Sequence, residues 1–252
     1  RAADLHRLRR AASGSARPVR PRTEILEGLE GARAARGVAV IIDVFRAFSL
    51  APWALARGAP YIVPVGTPEE ALALRPRIPG CRLAGERDGR PLPGFDYGNS
   101  PDEISRADLA GRVLVHRTSA GVQGLLAARG ADTVLAASFL TAGATVKWIR
   151  QRDPATVSLV AMGWNGCEPA LEDRACAEYL AAALAEKAPD FEPLRAAIRD
   201  DPTGRRFFDP ALPWFPTADF DACIALDRFD FAVVARPDDR YGLRLEARAP
   251  GQ

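Results

Sequence analysis

Apolar runs alternate with segments of helical spacing along most of this chain. The run GVAVIIDVF at 37–45 is apolar almost throughout and rich in β-branched residues, which predicts a strand buried on both faces of a sheet. The next segment, 46–58, has helical spacing and ends at Gly58, a common residue just after a helix. The same alternation predicts further strands at 61–65, 81–85, 112–116, 133–137 and 156–162, and further helices at 67–75, 119–129, 139–151 and about 169–187.

The last quarter of the chain has a different pattern. Helical pieces are predicted near 191–199 and 219–226. Two apolar runs at 230–236 and 241–248, joined by PDDR, predict either a closing hairpin or an edge pair of strands. Strands that alternate with helices form a parallel or mostly parallel sheet with helices on both faces. The sequence therefore predicts one domain at 23–252 with a three-layer α/β/α fold and a C-terminal strand pair.

Composition narrows the class of protein. The chain has 252 residues, of which 48% are hydrophobic, enough to bury a full core. It contains no run of about 18 apolar residues, so no membrane span is expected. Its arginine-rich start leads into Ala, Ser, Gly and Pro rather than an apolar stretch, which does not indicate a secretory signal. The four cysteines lie far apart or inside apolar segments, which predicts reduced thiols in a cytoplasmic protein.

The basic charge of the chain comes from its first residues. Residues 1–22 contain seven arginines against a single acid, Asp4, and the rest of the chain holds more acids than bases. This predicts a basic, flexible N-terminal arm. Because the remaining sequence has no basic stripe with interleaved aromatic residues, nucleic-acid binding is not expected. The sequence leaves open whether the protein is a homodimer.

Polar and charged residues follow four of the predicted strands. In an open α/β sheet, ligands bind beyond the carboxyl ends of the strands, so these residues are candidates for a functional site. One of the four segments, 83–103, combines five acids with Gly, Pro and Asn and should form a loop. The candidates are Asp43, Arg46 and Ser49, then Glu86, Arg87, Asp96, Asn99 and Ser100, then Arg117, Thr118 and Ser119, and finally Glu172 and Asp173.

Such a collection of carboxylates suggests a metal. Carboxylates that share one edge of a sheet repel one another, which raises their pKa values. A hard divalent cation such as Mg²⁺ removes this conflict, because it binds a few carboxylates together with water and phosphate oxygens. Arginines and helix N-termini beside it suit an anion. The pattern favours a metal-assisted phosphate site, although each acid taken alone could equally be a loop cap or a charged helix start.

Five segments resemble the 2-phosphosulfolactate phosphatases of coenzyme M biosynthesis. They occur in the family's order and at plausible spacing: IIDVFRAFS at 41–49, AGERDG at 84–89, GFDYGNSP at 94–101, TSAG at 118–121 and LED at 171–173. The resemblance implies a three-layer α/β fold, dependence on Mg²⁺ and hydrolysis of a small anionic phosphate ester on a sulfonated hydroxy acid.

The chain departs from the family pattern in three segments. Phe48 stands where the family usually has Thr, Ala120 and Val122 replace an Asn and a Thr, and ACA at 175–177 replaces an Ala-Gly. These departures bear on the exact substrate more than on the type of reaction.

The resemblance also implies roles for the candidate residues. Asp43, Glu86 and Asp96 would hold the metal or activate water, and Arg46 and Arg87 would clamp the anion. The remaining candidates are a second carboxylate pair, Glu172 and Asp173, and side chains that would contact the substrate, Ser49, Asn99, Ser100, Arg117, Thr118 and Ser119. The sequence leaves open whether water or an aspartate attacks the phosphorus.

Other chemistries fit the sequence less well. Cys81 and Arg87 have the spacing of cysteine-dependent phosphatases, but the following DGRPLPG cannot begin the helix that lowers the pKa of such a thiol. Asp43 is followed by Val and Phe, so the D-x-D motif of another phosphatase class is missing. Of the two histidines, His6 lies in the arm and His116 should be packed at a strand end. The alternative from another class is a non-catalytic protein that binds phosphate esters.

Overall fold

The computed structural model describes residues 21–251 of the chain. Its strands are β1 Arg22–Glu27, β2 Val38–Ile42, β3 Ile62–Pro64, β4 Arg82–Arg87, β5 Arg90–Pro91, β6 Leu114–Arg117, β7 Thr133–Ala137, β8 Thr156–Ala161, β9 Ala232–Asp238 and β10 Gly242–Arg248. Its α-helices are α1 Gly28–Ala34, α2 Ala47–Ala56, α3 Pro68–Leu74, α4 Pro101–Ser105, α5 Gly121–Ala127, α6 Ala142–Arg152, α7 Leu171–Leu184, α8 Phe191–Asp200, α9 Pro202–Arg205 and α10 Thr217–Cys223.

Each strand and helix predicted from the sequence is present, with ends that differ by a few residues. Thr67 begins α3 as predicted, because its hydroxyl accepts the Glu70 N–H while the Glu70 carboxylate accepts the Thr67 N–H. The sequence missed β1, a half-buried strand whose side chains alternate only weakly, and the helix α1 that follows it. The prediction of a loop over 83–103 is only partly right, because the segment contains most of β4, the short strand β5 and the start of α4. Arg22 is the first residue of β1, and residues 1–20 of the predicted arm lie outside the described residues.

The strands form one mostly parallel sheet in the order β1-β8-β2-β7-β9-β10-β3-β6-β4-β5. The strands β1, β8, β2 and β7 are parallel to one another, as are β3, β6 and β4. The hairpin β9–β10 joins these two groups through antiparallel ladders. The predicted hairpin is therefore confirmed, but the alternative of an edge pair is wrong. Val233, Val234 and Leu245 are fully buried because the hairpin lies in the middle of the sheet.

Helices cover both faces of this sheet, which confirms the three-layer α/β/α fold. In β2, the side chains of Ala39 and Ile41 face one helical layer, and those of Val40 and Ile42 face the other. The first layer contains α1, α2, α4 and α5. The second contains α6, α7, α8 and α10 over one half of the sheet and α3 over the other half. Within residues 21–251, no helix is long and apolar enough to cross a membrane.

The two parallel groups run in opposite directions, because three antiparallel ladders separate them. Their loops nevertheless meet, since α5 follows β6 and then packs against β2, β7 and α1. The Gly121 N–H at the start of α5 donates to Asp43 just after β2. A Cβ atom at Gly121 would lie 2.7 Å from the Asp43 carboxylate, so this close approach requires glycine. The contact fixes one side of the candidate site.

Candidate active site

The loops that follow β2, β4, β6 and β8 surround a cleft of about 30 Å³. Six residues predicted for the site line it: Asp43, Arg46, Glu86, Asn99, Thr118 and Ser119. The sequence did not predict the other lining residues: Phe45, Gly89, Ala120, Gly163, Trp164, Asn165 and Phe215. Residues from distant parts of the chain thus meet at one place, as the sequence predicted.

Asp43 is the buried carboxylate at the end of β2. Its Oδ1 accepts the Ala47 N–H at 3.0 Å, and its Oδ2 accepts the Gly121 N–H at 2.9 Å. Burial, reinforced by the neighbouring Glu86 carboxylate, raises the pKa of Asp43 to about 6, although the two backbone N–H groups act in the opposite direction. Each oxygen has further lone pairs, so Asp43 can still bind a cation or a proton in the cleft.

Glu86 is the second carboxylate of the cleft and lies near the end of β4. Its Oε2 accepts the Gly89 N–H at 2.7 Å, and its Oε1 accepts the Ser119 N–H at 2.8 Å. The Gly89 backbone has a φ of +80°, and a Cβ atom there would lie 2.4 Å from the Phe215 ring. Glu86 therefore holds the turn after its own strand against the loop after β6.

Neutral polar groups complete the cleft. The buried Asn99 has its Oδ1 atom 3.0 Å from Nε2 of His116. Thr118 accepts the Val122 N–H through its hydroxyl oxygen, and the hydroxyl of Ser119 accepts a hydrogen bond from Arg117. Because both hydroxyls act as acceptors here, their protons remain for a ligand. The cleft thus combines two carboxylates with groups that can donate to an anion.

Arg46 is held by residues of the C-terminal segment. Its Nη1 donates to Asp219 Oδ2 and to the Trp214 carbonyl, both at 2.8 Å, and its Nη2 donates to the Gly89 carbonyl at 3.0 Å. The guanidinium carbon lies 4.6 Å from the centre of the Phe215 ring. Burial raises the pKa of the Asp219 carboxyl, while Arg46 lowers it. Arg46 is thus a fixed cation whose charge Asp219 largely balances.

Asp219, which the sequence analysis did not single out, also holds the candidate Ser100 in place. Its Oδ1 accepts the Ser100 hydroxyl at 2.6 Å and the Asp102 N–H at 3.0 Å. Ser100 also caps α4 through the Glu103 N–H, so its hydroxyl serves the fold rather than the cleft. The helix at 217–223 contains two acids, Asp219 and Asp221, and nothing in the sequence distinguishes the buried Asp219 from the exposed Asp221.

The structure does not bring four other candidates to the cleft. Arg87 is exposed, and Asp96 pairs with Arg75 at 2.9 Å while accepting the Leu83 N–H at 2.8 Å. Asp96 therefore fastens its loop to β4 and does not line the cleft with Asp43 and Glu86. The other two also bind the backbone beside the cleft: Ser49 donates to the Val44 carbonyl, and Arg117 donates to the Glu86 carbonyl and the Ser119 hydroxyl.

Glu172 and Asp173 lie behind the cleft, in the first turn of α7. Asp173 accepts the Val44 N–H at 2.7 Å and the Gly163 N–H at 2.8 Å, so it joins the loops after β2 and β8. Glu172 accepts the Thr203 hydroxyl at 2.6 Å. Burial raises the pKa of Glu172 to about 7 and that of Asp173 well above its usual range. These carboxylates position the walls of the cleft without lining it.

The groups that line the cleft suit Mg²⁺ better than a metal ion that is bound by protein side chains alone. Among residues 21–251, no three His, Cys, Asp or Glu side chains are grouped so that they could hold a metal ion. Mg²⁺ is commonly bound by one or two carboxylates, with water and substrate phosphate supplying the other ligands. Asp43 and Glu86 meet that requirement, because both line the cleft and retain free lone pairs.

The cysteines do not contribute to the site. All four are free thiols, as predicted. Cys81 is buried at the start of β4, and burial raises the pKa of its thiol. A raised pKa is the opposite of what a thiolate nucleophile needs, so the structure gives no support to a cysteine-dependent phosphatase.

Comparison with known proteins agrees with the motifs. The family model described as 2-phosphosulpholactate phosphatase matches residues 24–201, which contain every cleft residue except Phe215. A probable 2-phosphosulfolactate phosphatase of Bacillus subtilis is 28% identical over 217 residues, 85% of this chain and 93% of the relative. Proteins of the same description from Synechocystis and Thermoplasma volcanium are 36% and 32% identical, over 61% and 76% of this chain and 64% and 85% of theirs. The chain belongs to the 2-phosphosulpholactate phosphatase family.

Proposed function

We propose that this protein is a Mg²⁺-dependent phosphatase that hydrolyses 2-phosphosulfolactate to 3-sulfolactate and phosphate. The observation that carries the proposal is that Asp43 and Glu86 line one cleft together with the donor groups of Asn99, Thr118 and Ser119. The relatives, which are named as probable 2-phosphosulfolactate phosphatases, support the choice of substrate.

The charge of the cleft supports a cation. Arg46 is paired with Asp219, so its positive charge is already balanced, while Asp43 and Glu86 leave the cleft negative. An anionic phosphate ester would be repelled by two carboxylates. A divalent cation between them and the phosphate would turn this repulsion into attraction, as in other phosphate sites.

In the proposed reaction, a water oxygen bonds to phosphorus and the bond from phosphorus to the substrate's C2 oxygen breaks. The proton released by the water passes to that C2 oxygen. When bound, Mg²⁺ polarises the phosphoryl oxygens and lowers the pKa of a coordinated water. Asp43 and Glu86 would hold it through oxygens that four backbone N–H groups already orient.

The neutral groups of the cleft would bind the phosphoryl oxygens. The Asn99 amide and the hydroxyls of Thr118 and Ser119 can donate hydrogen bonds that strengthen as charge builds up on those oxygens. The Phe215 and Trp164 rings, 6.5 Å apart, form an aromatic wall of the cleft beside these donors.

The thiols support a cytoplasmic location. We expect a cytoplasmic enzyme, because the four cysteines of the chain form no disulfide and three of them are buried.

Phosphate release from 2-phosphosulfolactate tests the proposed activity. The purified protein with Mg²⁺ should release phosphate in repeated turnovers, and 2-phosphosulfolactate should be a better substrate than glycerol 2-phosphate, which lacks both the carboxylate and the sulfonate. Saturable binding of 2-phosphosulfolactate without phosphate release would contradict the proposal and identify a non-catalytic binding protein.

A further inference from the structure

His116 lies directly behind Asn99. The imidazole is fully buried in β6, and its Nε2 is 3.0 Å from Oδ1 of Asn99. The other ring nitrogen, Nδ1, is buried and has no hydrogen-bond partner among the described residues. The prediction of a packed histidine is confirmed, but the packing connects it to a side chain of the cleft.

The surroundings of the ring decide which nitrogen carries the proton. Burial lowers the pKa of His116 to about 3, so the ring is neutral and has a single N–H. If that N–H were on Nδ1, it would be a buried donor without an acceptor, and the lone pair of Nε2 would face Oδ1 of Asn99. Unpaired buried donors are rarer than unpaired acceptors. The proton is therefore on Nε2, which donates to Asn99.

This hydrogen bond determines which end of the Asn99 amide is free. Oδ1 is used by His116, so the NH₂ group remains for the cleft that Asn99 lines. The opposite orientation would place a carbonyl oxygen beside Asp43 and Glu86, where it would repel an anionic ligand. The NH₂ group instead provides two donors in a cleft that already holds two carboxylates.

His116 is not the residue that packing alone would favour. Its neighbours in β6, Leu114 and Val115, are buried and apolar. An apolar side chain at 116 would avoid the unpartnered Nδ1 atom, which lowers stability. Unlike an apolar residue, His116 provides a hydrogen bond to Asn99.

We propose that His116 is a positioning residue, which donates to Oδ1 of Asn99 and so holds the Asn99 NH₂ group toward the phosphoryl oxygens of the substrate. This inference rests on the proposed function, because it takes the ligand of the cleft to be a phosphate ester.

Two substitutions at 116 separate the hydrogen bond from packing. His116→Leu removes the donor, whereas the side-chain amide of His116→Gln can still donate to Asn99. With 2-phosphosulfolactate and Mg²⁺, kcat/KM should fall about tenfold in His116→Leu and stay within about threefold of wild type in His116→Gln. Thr145→Val is the matched control, since Thr145 is also buried with an unpartnered hydroxyl but does not line the cleft; its kcat/KM should equal that of wild type.

The double variant with Asn99→Ala tests whether His116 acts through Asn99. Adding His116→Leu to Asn99→Ala should cause no further loss of kcat/KM. An additional tenfold loss, or wild-type kcat/KM in the single His116→Leu variant, would overturn the inference. If the wild-type protein releases no phosphate, the binding of inorganic phosphate to the same variants can be measured by calorimetry instead. Weaker binding in His116→Leu than in His116→Gln would then support the inference although the proposed activity had failed, and equal binding would overturn it.

Discussion

Two pairs of buried carboxylates in this molecule look alike but lie in different places. The cleft pair is Asp43 and Glu86, and the inner pair is Glu172 and Asp173. All four are less than one-tenth exposed, and all four accept hydrogen bonds from the protein. The cleft pair lines the cleft, whereas the inner pair lies behind it and binds the loops and helices that form its walls.

Burial and hydrogen bonds do not by themselves identify a catalytic carboxylate in this molecule. Asp43 and Asp173 each accept two backbone N–H groups, and burial raises the pKa of both. Of these two aspartates, only Asp43 lines the cleft, so only Asp43 can contact a ligand there. We therefore expect loss of the cleft pair to remove the chemistry, and loss of the inner pair to disturb geometry and stability.

The largest effect should come from the cleft pair. Asp43→Asn removes a charge that would face the proposed cation and phosphate, so kcat should fall by at least about a hundredfold. Phosphate release measures this loss, and circular dichroism checks that the variant is folded. Asp221→Asn, an exposed acid paired with Arg195, serves as the control and should retain wild-type kcat. A folded Asp43→Asn enzyme with near-normal kcat would show that the cleft pair matters no more for turnover than the inner pair does.

The inner pair should have a smaller effect on turnover. Asp173→Asn can keep one of its two backbone hydrogen bonds but turns an NH₂ group against the other N–H, so the loops at Val44 and Gly163 shift. We expect kcat/KM to fall about tenfold while the Mg²⁺ concentration needed for half-maximal activity stays the same. Glu178→Gln, on the exposed side of the same helix, should change neither quantity. A large rise in the Mg²⁺ requirement of Asp173→Asn would place the inner pair at the metal.

Glu172 should affect how stability depends on pH. Its pKa is raised from 4.5 to about 7 in the folded protein, so the folded state holds this proton more tightly than the unfolded chain. The free energy of unfolding should therefore fall as the pH rises from about 4.5 to about 7, by on the order of 3 kcal/mol shared with the neighbouring carboxyl of Asp173. Glu172→Gln should show a flatter profile in urea unfolding with chelator present. Identical profiles would show that Glu172 does not titrate in this range.

Cys81 should have the smallest effect. Its thiol is buried just before β4 and outside the cleft, so Cys81→Ser should leave kcat within about threefold of wild type and cost about 1–2 kcal/mol of stability. Phosphate release and thermal unfolding measure the two quantities. An inactive but folded Cys81→Ser protein would instead indicate a thiolate mechanism.

The sequence predicted the features that depend on the local order of apolar and polar residues. The β-branched run at 37–45 gave a buried central strand, and the residues just after it, Asp43 and Arg46, line the cleft. The motifs around Glu86, Asn99 and Thr118 also reached the cleft: Glu86 lies near the end of β4, Thr118 follows β6, and Asn99 lies in the loop before α4.

What the sequence could not predict depends on contacts between distant residues. Asp96 and Glu86 are acids in the same polar loop region, but only the folded structure shows that Asp96 pairs with Arg75. Asp219 and Phe215 reach the cleft from the C-terminal segment, and no local pattern indicates that they pack on Arg46. The central position of the β9–β10 hairpin likewise depends on its ladders to β7 and β3.

The Mg²⁺ dependence of phosphate release from 2-phosphosulfolactate should be measured for the wild type, Asp43→Asn and Asp173→Asn proteins. Chelator should abolish wild-type activity, Mg²⁺ should restore it, and Asp173→Asn should respond to the same Mg²⁺ concentrations. Asp43→Asn should remain inactive at those concentrations. Full wild-type activity in chelator, or the same Mg²⁺ response in Asp43→Asn as in the wild type, would contradict the assignment of the cleft pair to a bound cation.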